Sequence, residues 1–80
     1  MLPLTKYRDS ELIMRAEKAL SDDPLLDMVD IGVTCQHGKV VLSGTARSSR
    51  IRDRAVETVR RAFQKHGLKY VEIADNIRLG

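Results

Sequence analysis

The chain has 80 residues, 42% hydrophobic and 31% charged, a balance that fits one soluble folded domain and rules out a disordered tail. A single cysteine excludes an internal disulfide and, with only two histidines, a cysteine-based zinc site. No Trp, one Phe and two Tyr leave too few aromatics for a base-stacking platform, and no apolar run approaches a membrane span. Met1–Leu4 lacks the basic start and apolar core of a signal peptide. The net charge of +3 conceals an asymmetry. Residues 1–46 carry five basic and seven acidic side chains, whereas residues 47–80 carry nine and four, a balance of +5. A basic half points to an anionic partner.

The first periodic segment follows Asp9-Ser10, either of which can cap a helix. Leu12, Ile13, Ala16, Ala19 and Leu20 fall within an arc of about 120°, with Glu11 and Arg15 spaced for an i,i+4 ion pair and Met14 opposite the stripe. Asp23 as cap and Pro24 at the first position predict a short helical turn afterwards. From Val29 the period changes to two. Val29, Ile31, Val33 and Cys35 alternate with polar or small residues, as do Val40, Leu42, Gly44 and Ala46 after His37-Gly38. A two-residue turn there sets Cys35 opposite Val40, Val33 opposite Leu42, Ile31 opposite Gly44 and Val29 opposite Ala46. Gly38 supplies the turn geometry, and Gly44 leaves room for a helix or side chain over the sheet.

Ser48 or Ser49 caps a second helix that runs to about Lys65-His66 and stops at Gly67. Its apolar stripe is Ile51, Ala55, Val56, Val59, Ala62 and Phe63. Arg52 projects into that arc and is expected to snorkel out. Lys69 to Leu79 alternates again, with Val71, Ile73, Ile77 and Leu79 on one face. Asp75 shares that face, which predicts a bulge near Ala74-Asp75-Asn76. The expected fold is α+β, a two-layer αββαβ sandwich whose three-stranded mixed sheet carries both helices on one face. Residues 1–8 read as an N-terminal extension and 9–80 as the domain.

These residues resemble the BON domain, the bacterial OsmY and nodulation module. The resemblance rests on Ala19-Leu20 then Asp23-Pro24, on Ile31, Val33 and Cys35, and above all on Gly38-x-Val40-x-Leu42-x-Gly44. Ala55 and Ala62, then Gly67-Leu68, complete it over roughly residues 9–79. What it implies is a non-catalytic module of the bacterial periplasm or cell envelope, linked to osmotic stress or membrane integrity. Such a module binds anionic phospholipid or an envelope protein peripherally and uses no cofactor.

The residues themselves supply two candidate surfaces. Arg47, Arg50, Arg54, Arg61 and Lys65, on the second helix and just before it, are candidates for an anion-binding patch, since guanidinium groups bind phosphate in bidentate fashion. Glu57 stands i+4 from Arg61 and i±3 from Arg54 and Arg60, so part of that charge is neutralised locally. Thr34, Val41 and Tyr70 are expected to project from the open sheet face, the basis of the alternative reading as a protein-interaction or assembly module. Cys35 and His37 lack a third metal ligand, and the acidic stretch Asp22, Asp23, Asp27 and Asp30 lacks the spacing of a calcium loop, so capping and solvation account for it. No catalytic constellation appears, and nucleic acid is disfavoured because one face of the basic helix belongs to the core.

Overall fold

The computed structural model describes residues 7–26 and 30–80. Helix α1 spans Asp9–Asp22, a 3-10 turn Pro24–Leu26, strands β1 and β2 Asp30–Gln36 and Lys39–Ala46, helix α2 Ser49–Lys65, and strand β3 Glu72–Leu79. The sheet order is β1-β2-β3, with β1 antiparallel and β3 parallel to the central β2. Val33, Val40, Leu42, Ala46 and Ile77 bury one sheet face under Leu12, Ala16 and Leu20 of α1 and Ala55, Val59 and Phe63 of α2. This is the expected αββαβ sandwich.

The hairpin has the register that the alternation demands: Cys35 faces Val40, Val33 faces Leu42 and Ile31 faces Gly44. The expected pairing of Val29 lies outside the described residues, as does Asp27. His37 and Gly38 adopt φ of 52° and 83°, the two positive angles of a tight hairpin turn. A side chain at Gly38 would also collide with the Tyr7 ring, which stacks on it, so the packed part of the domain reaches at least to Tyr7.

At α1 the expected cap needs correcting. The helix already begins at Asp9, and the cap position, Arg8, makes no side-chain capping bond. The Asp9 carboxylate turns instead to the hairpin, accepting the His37 N–H at 2.8 Å and the Gly38 N–H at 2.9 Å. The Cys35 thiol donates to the same carboxylate at 3.4 Å. Burial first, and then this carboxylate, push the Cys35 thiol up to about 11. The role given to Gly44 also changes. Its φ is +136°, and an added Cβ would stand 1.9 Å from the Asp30 carbonyl oxygen. The room is taken by the backbone of β1, not by a helix or side chain.

The second half follows its signals closely. Ser48 accepts the Ile51 N–H at 3.3 Å as cap, and Gly67 at φ 63° ends α2 while the Leu68 N–H returns to the Phe63 carbonyl at 2.9 Å. Strand β3 differs from expectation. It begins at Glu72 rather than Lys69, and its pairing with β2 runs unbroken from Lys39–Glu72 to Ala46–Leu79, so there is no bulge at Ala74-Asp75-Asn76. Asp75 does face the helices beside Leu42, and Arg52 meets it at 3.3 Å. Two residues that break the apolar pattern on separate elements are thus each other's partner, and the strand keeps its register without a bulge. Val71 and Leu79, expected inside, are 57% and 50% exposed.

Gly44→Ala should lower stability in urea by about 3 kcal/mol or more, because both the positive φ and the carbonyl clash must be relieved. Gly32→Ala is the control: its added Cβ meets nothing nearer than 3.9 Å. Its cost should stay within about 1 kcal/mol. Cys35 should react with an alkylating reagent at pH 8 on the order of a hundredfold more slowly than the same cysteine in the urea-unfolded chain, because so little thiolate is present.

Candidate functional site

The five candidate cations share α2 and its leading turn, but their surroundings divide them. Arg54 lies in the second turn, on the flank facing the end of α1. Its Nε donates to Asp23 Oδ2 at 2.8 Å and its Nη2 to Oδ1 at 3.4 Å. Thr58, one turn further on, donates to Oδ2 at 2.9 Å, and the Leu25 N–H to Oδ1 at 3.0 Å. The expected capping bond of Asp23 is therefore present, but this carboxylate is 7% exposed and does more than cap. It ties the end of α1 and the 3-10 turn to α2. The Arg54 hydrogen bond, followed by those of Leu25 and Thr58, holds the Asp23 carboxyl below its ordinary range despite burial. Arg54 is consequently a clamp between elements, and its ion pair is with Asp23 rather than with Glu57.

Glu57 is instead shared between Arg60 and Arg61, which it meets at i+3 and at i+4, the latter at 3.1 Å. Its carboxyl is lowered chiefly by the Arg60 bond, and the middle of the helix is compensated. Arg52 faces Asp75 and, at 3.6 Å, Asp53. Arg47, Arg50 and Lys65 are exposed and make no ion pair among the described residues. Arg47 and Arg50 flank the N-terminus of α2, where the positive end of the helix dipole adds to their charge. Lys65 stands in the last turn, about 22 Å further along the axis. The expected single patch is therefore two cationic ends separated by a compensated middle.

The second candidate surface also divides. Thr34 and Val41 are direct cross-strand partners on the uncovered sheet face, and Ala74 extends that row onto β3. One row away, Lys39 is held by Glu72 at 3.6 Å. Tyr70 is not on this face, a correction to its expected position. It precedes β3 in the connection from α2, and its ring packs against Phe63 with centroids 5.1 Å apart. The open face is thus small-residued and polar, with Val41 as its one larger apolar side chain in those rows.

Sequence reading missed Asp23 as the centre of the Arg54–Thr58 network. Arg54 and Thr58 at i,i+4 were the available signal, since they must present one face of α2 to whatever lies opposite. Asp23→Asn should cost about 1–3 kcal/mol at pH 7, the loss of a charged acceptor among buried hydrogen bonds. The sign of its pH dependence follows from a lowered carboxyl. Its stabilisation is complete above the ordinary carboxylate range and is lost as pH falls through the lowered folded value. Acid unfolding of the variant, followed by circular dichroism below about pH 4, should have a shallower slope than the parent. What acid sensitivity persists belongs to Asp9 and Glu57, whose carboxyls are lowered too.

No curated protein matches the chain. Among the described residues, no helix is long and apolar enough to cross a membrane. A family model described as the BON domain matches residues 8–64, from the start of α1 to the last turn of α2, leaving β3 beyond its end. The match takes in most of the chain, including the Gly38–Gly44 strand and the Asp23–Pro24 junction, and the chain belongs to the BON domain family.

Proposed function

We infer that this chain is a peripheral, non-enzymatic binding module that engages the anionic phospholipid surface of the bacterial envelope through the N-terminal end of α2. BON domains are known for phospholipid- and envelope-associated binding and are generally non-catalytic. The observation that carries the reading for this chain is the pair Arg47 and Arg50, exposed and without a carboxylate partner among the described residues. Ser48 satisfies the Ile51 N–H, which leaves the first-turn N–H groups of Ser49 and Arg50 available beside the two guanidinium groups. Guanidinium forks and helix N–H donors both match the oxygens of a phosphate.

An apolar element adjoins this end. Leu79 pairs with Ala46, the residue before Arg47, and is half exposed. It can shed water against the headgroup region while the arginines hold phosphate. Lys65 offers a second contact at the far end of the helix. Arg61 contributes less, because Glu57 shares it, and Arg54 acts on binding only by holding α2 in place. The periplasm and a link to osmotic stress follow from the family alone.

Co-sedimentation with vesicles containing phosphatidylglycerol should show binding that weakens with salt and is absent with neutral phosphatidylcholine vesicles. Arg47→Gln and Arg50→Gln should each reduce affinity about fivefold with unchanged melting, the effect of about 1 kcal/mol per basic residue at an anionic surface. Arg61→Gln should change it by less than twofold. Equal binding to neutral vesicles, or binding indifferent to both N-terminal substitutions, would defeat the assignment.

A further inference from the structure

The two outer strands of the sheet present different edges. Parallel pairing directs alternate N–H groups of β3, that of Ile77 among them, away from β2. Asp75 reaches along the strand and accepts the Ile77 N–H at 3.0 Å through Oδ1, while Oδ2 faces Arg52. A charged side chain thus blunts that edge, one of the devices by which sheets avoid further pairing. Strand β1 has nothing comparable among the described residues. The two-residue turn pairs Gln36 with Lys39 and so points the N–H and C=O groups of Ile31, Val33 and Cys35 away from β2. The strand, Asp-Ile-Gly-Val-Thr-Cys-Gln, contains no Lys or Pro and pairs without a bulge.

We propose that β1 is a self-association edge, and that its partner is a second copy of this chain paired antiparallel about a two-fold axis at Val33. In that register Val33 meets its symmetry mate and Ile31 meets Cys35 of the second copy, so all three outward-pointing residues exchange backbone bonds. Moving the axis to Gly32 or Thr34 leaves one of the three without a partner in the strand. The charges agree with the same register. Asp30, the one charged residue of β1, falls opposite neutral Gln36, and no like charges oppose each other. On the helix side, Ile31 and Cys35 are only half-buried in the single chain and would close against each other across the seam.

Ile13 reinforces this margin. Glu11 borders the α2–β3 connection at His66–Lys69, so the flank of α1 that carries Ile13, about 160° round the helix, turns toward the β1 side. Ile13 is half-buried there. The result would be a continuous six-stranded sheet with its blunted β3 edges outermost. Self-association is independent of the lipid reading, because α2 and its cations lie over β2 and β3 and remain accessible in the pair.

Sedimentation equilibrium of the full chain from micromolar to millimolar concentration, with amide exchange followed by NMR at both extremes, tests the proposal. The mass should rise from 9.0 kDa toward twice that value. The Ile31, Val33 and Cys35 amides should exchange at least about tenfold more slowly in the concentrated sample. Ile31→Lys, an inward-facing charge on the edge, should return the mass to that of a monomer. If that variant does not fold, the exchange data on the parent chain still decide. A monomer mass throughout, or a doubled mass with those three amides unchanged, would overturn the proposal. So would slow exchange of the three amides in a monomer at every concentration, which would mean that the chain's own residues cover the edge.

Discussion

The carboxylate of Asp23 governs how the two helices meet. It is the only charged group counted among the buried side chains of the described residues, and four bonds converge on it from α2 and from the turn after α1. A buried charge is tolerable only when its remaining lone pairs are satisfied, and here guanidinium, hydroxyl and backbone N–H share that task. Because three of the four bonds come from Arg54 and Thr58, 31 and 35 positions away, the network is completed only when the helices dock. Once formed, it sets the rotation of α2 about its axis. Ala55, Val59 and Phe63 then face the sheet, and Arg47 and Arg50 face solvent.

A second carboxylate performs the same service at the other end of α1. Asp9 binds the two N–H groups of the hairpin turn and the thiol before it, so α1 is anchored to the β-hairpin at its start and to α2 at its finish. Between these anchors the contacts are apolar and non-directional. The polar bonds therefore define orientation, while burial of the core supplies most of the driving force. Arg52 and Asp75 meet by charge alone at the margin of β3, an ion pair at 3.3 Å with no hydrogen bond from Arg52 Nε, where each would otherwise oppose the core.

The distribution of cations on α2 follows from this use of carboxylates. Asp23, Asp75 and Glu57 each engage one or more of its arginines, and the three exposed cations left without ion pairs among the described residues stand at its two ends. Helix charge counted by composition overstates what a ligand can meet. The family resemblance and the geometry bear on different questions in this respect. Membership in the BON domain family bears on the kind of role, whereas the ion pairs bear on which cations stay unpaired among the described residues, Arg47 and Arg50 at one end of α2 and Lys65 at the other.

Element order, sheet face and hairpin register were legible because they depend on local periodicity and turn chemistry. Two positive φ angles at His37-Gly38, alternation of period two and a serine cap before α2 leave few other arrangements. The BON resemblance drew in part on the same alternating hairpin, and the matched family model covers every residue quoted for it except Gly67-Leu68. The position of each charged side chain was not legible in this way. Asp9 reads locally as a cap but pairs with a turn 28 residues away, and Arg54 reads as a neighbour of Glu57 but belongs to Asp23. Asp75 predicts a bulge until Arg52 is placed above it, and Gly44 requires the Asp30 carbonyl before its need for hydrogen can be understood. Tyr70 follows the strand period in sequence, yet packing against Phe63 keeps it out of the sheet. Periodicity determines which face of an element is apolar because it depends on neighbours along the chain. Which charge meets which, and which cations remain for a ligand, depends on contacts across the fold and is decided only when the layers close.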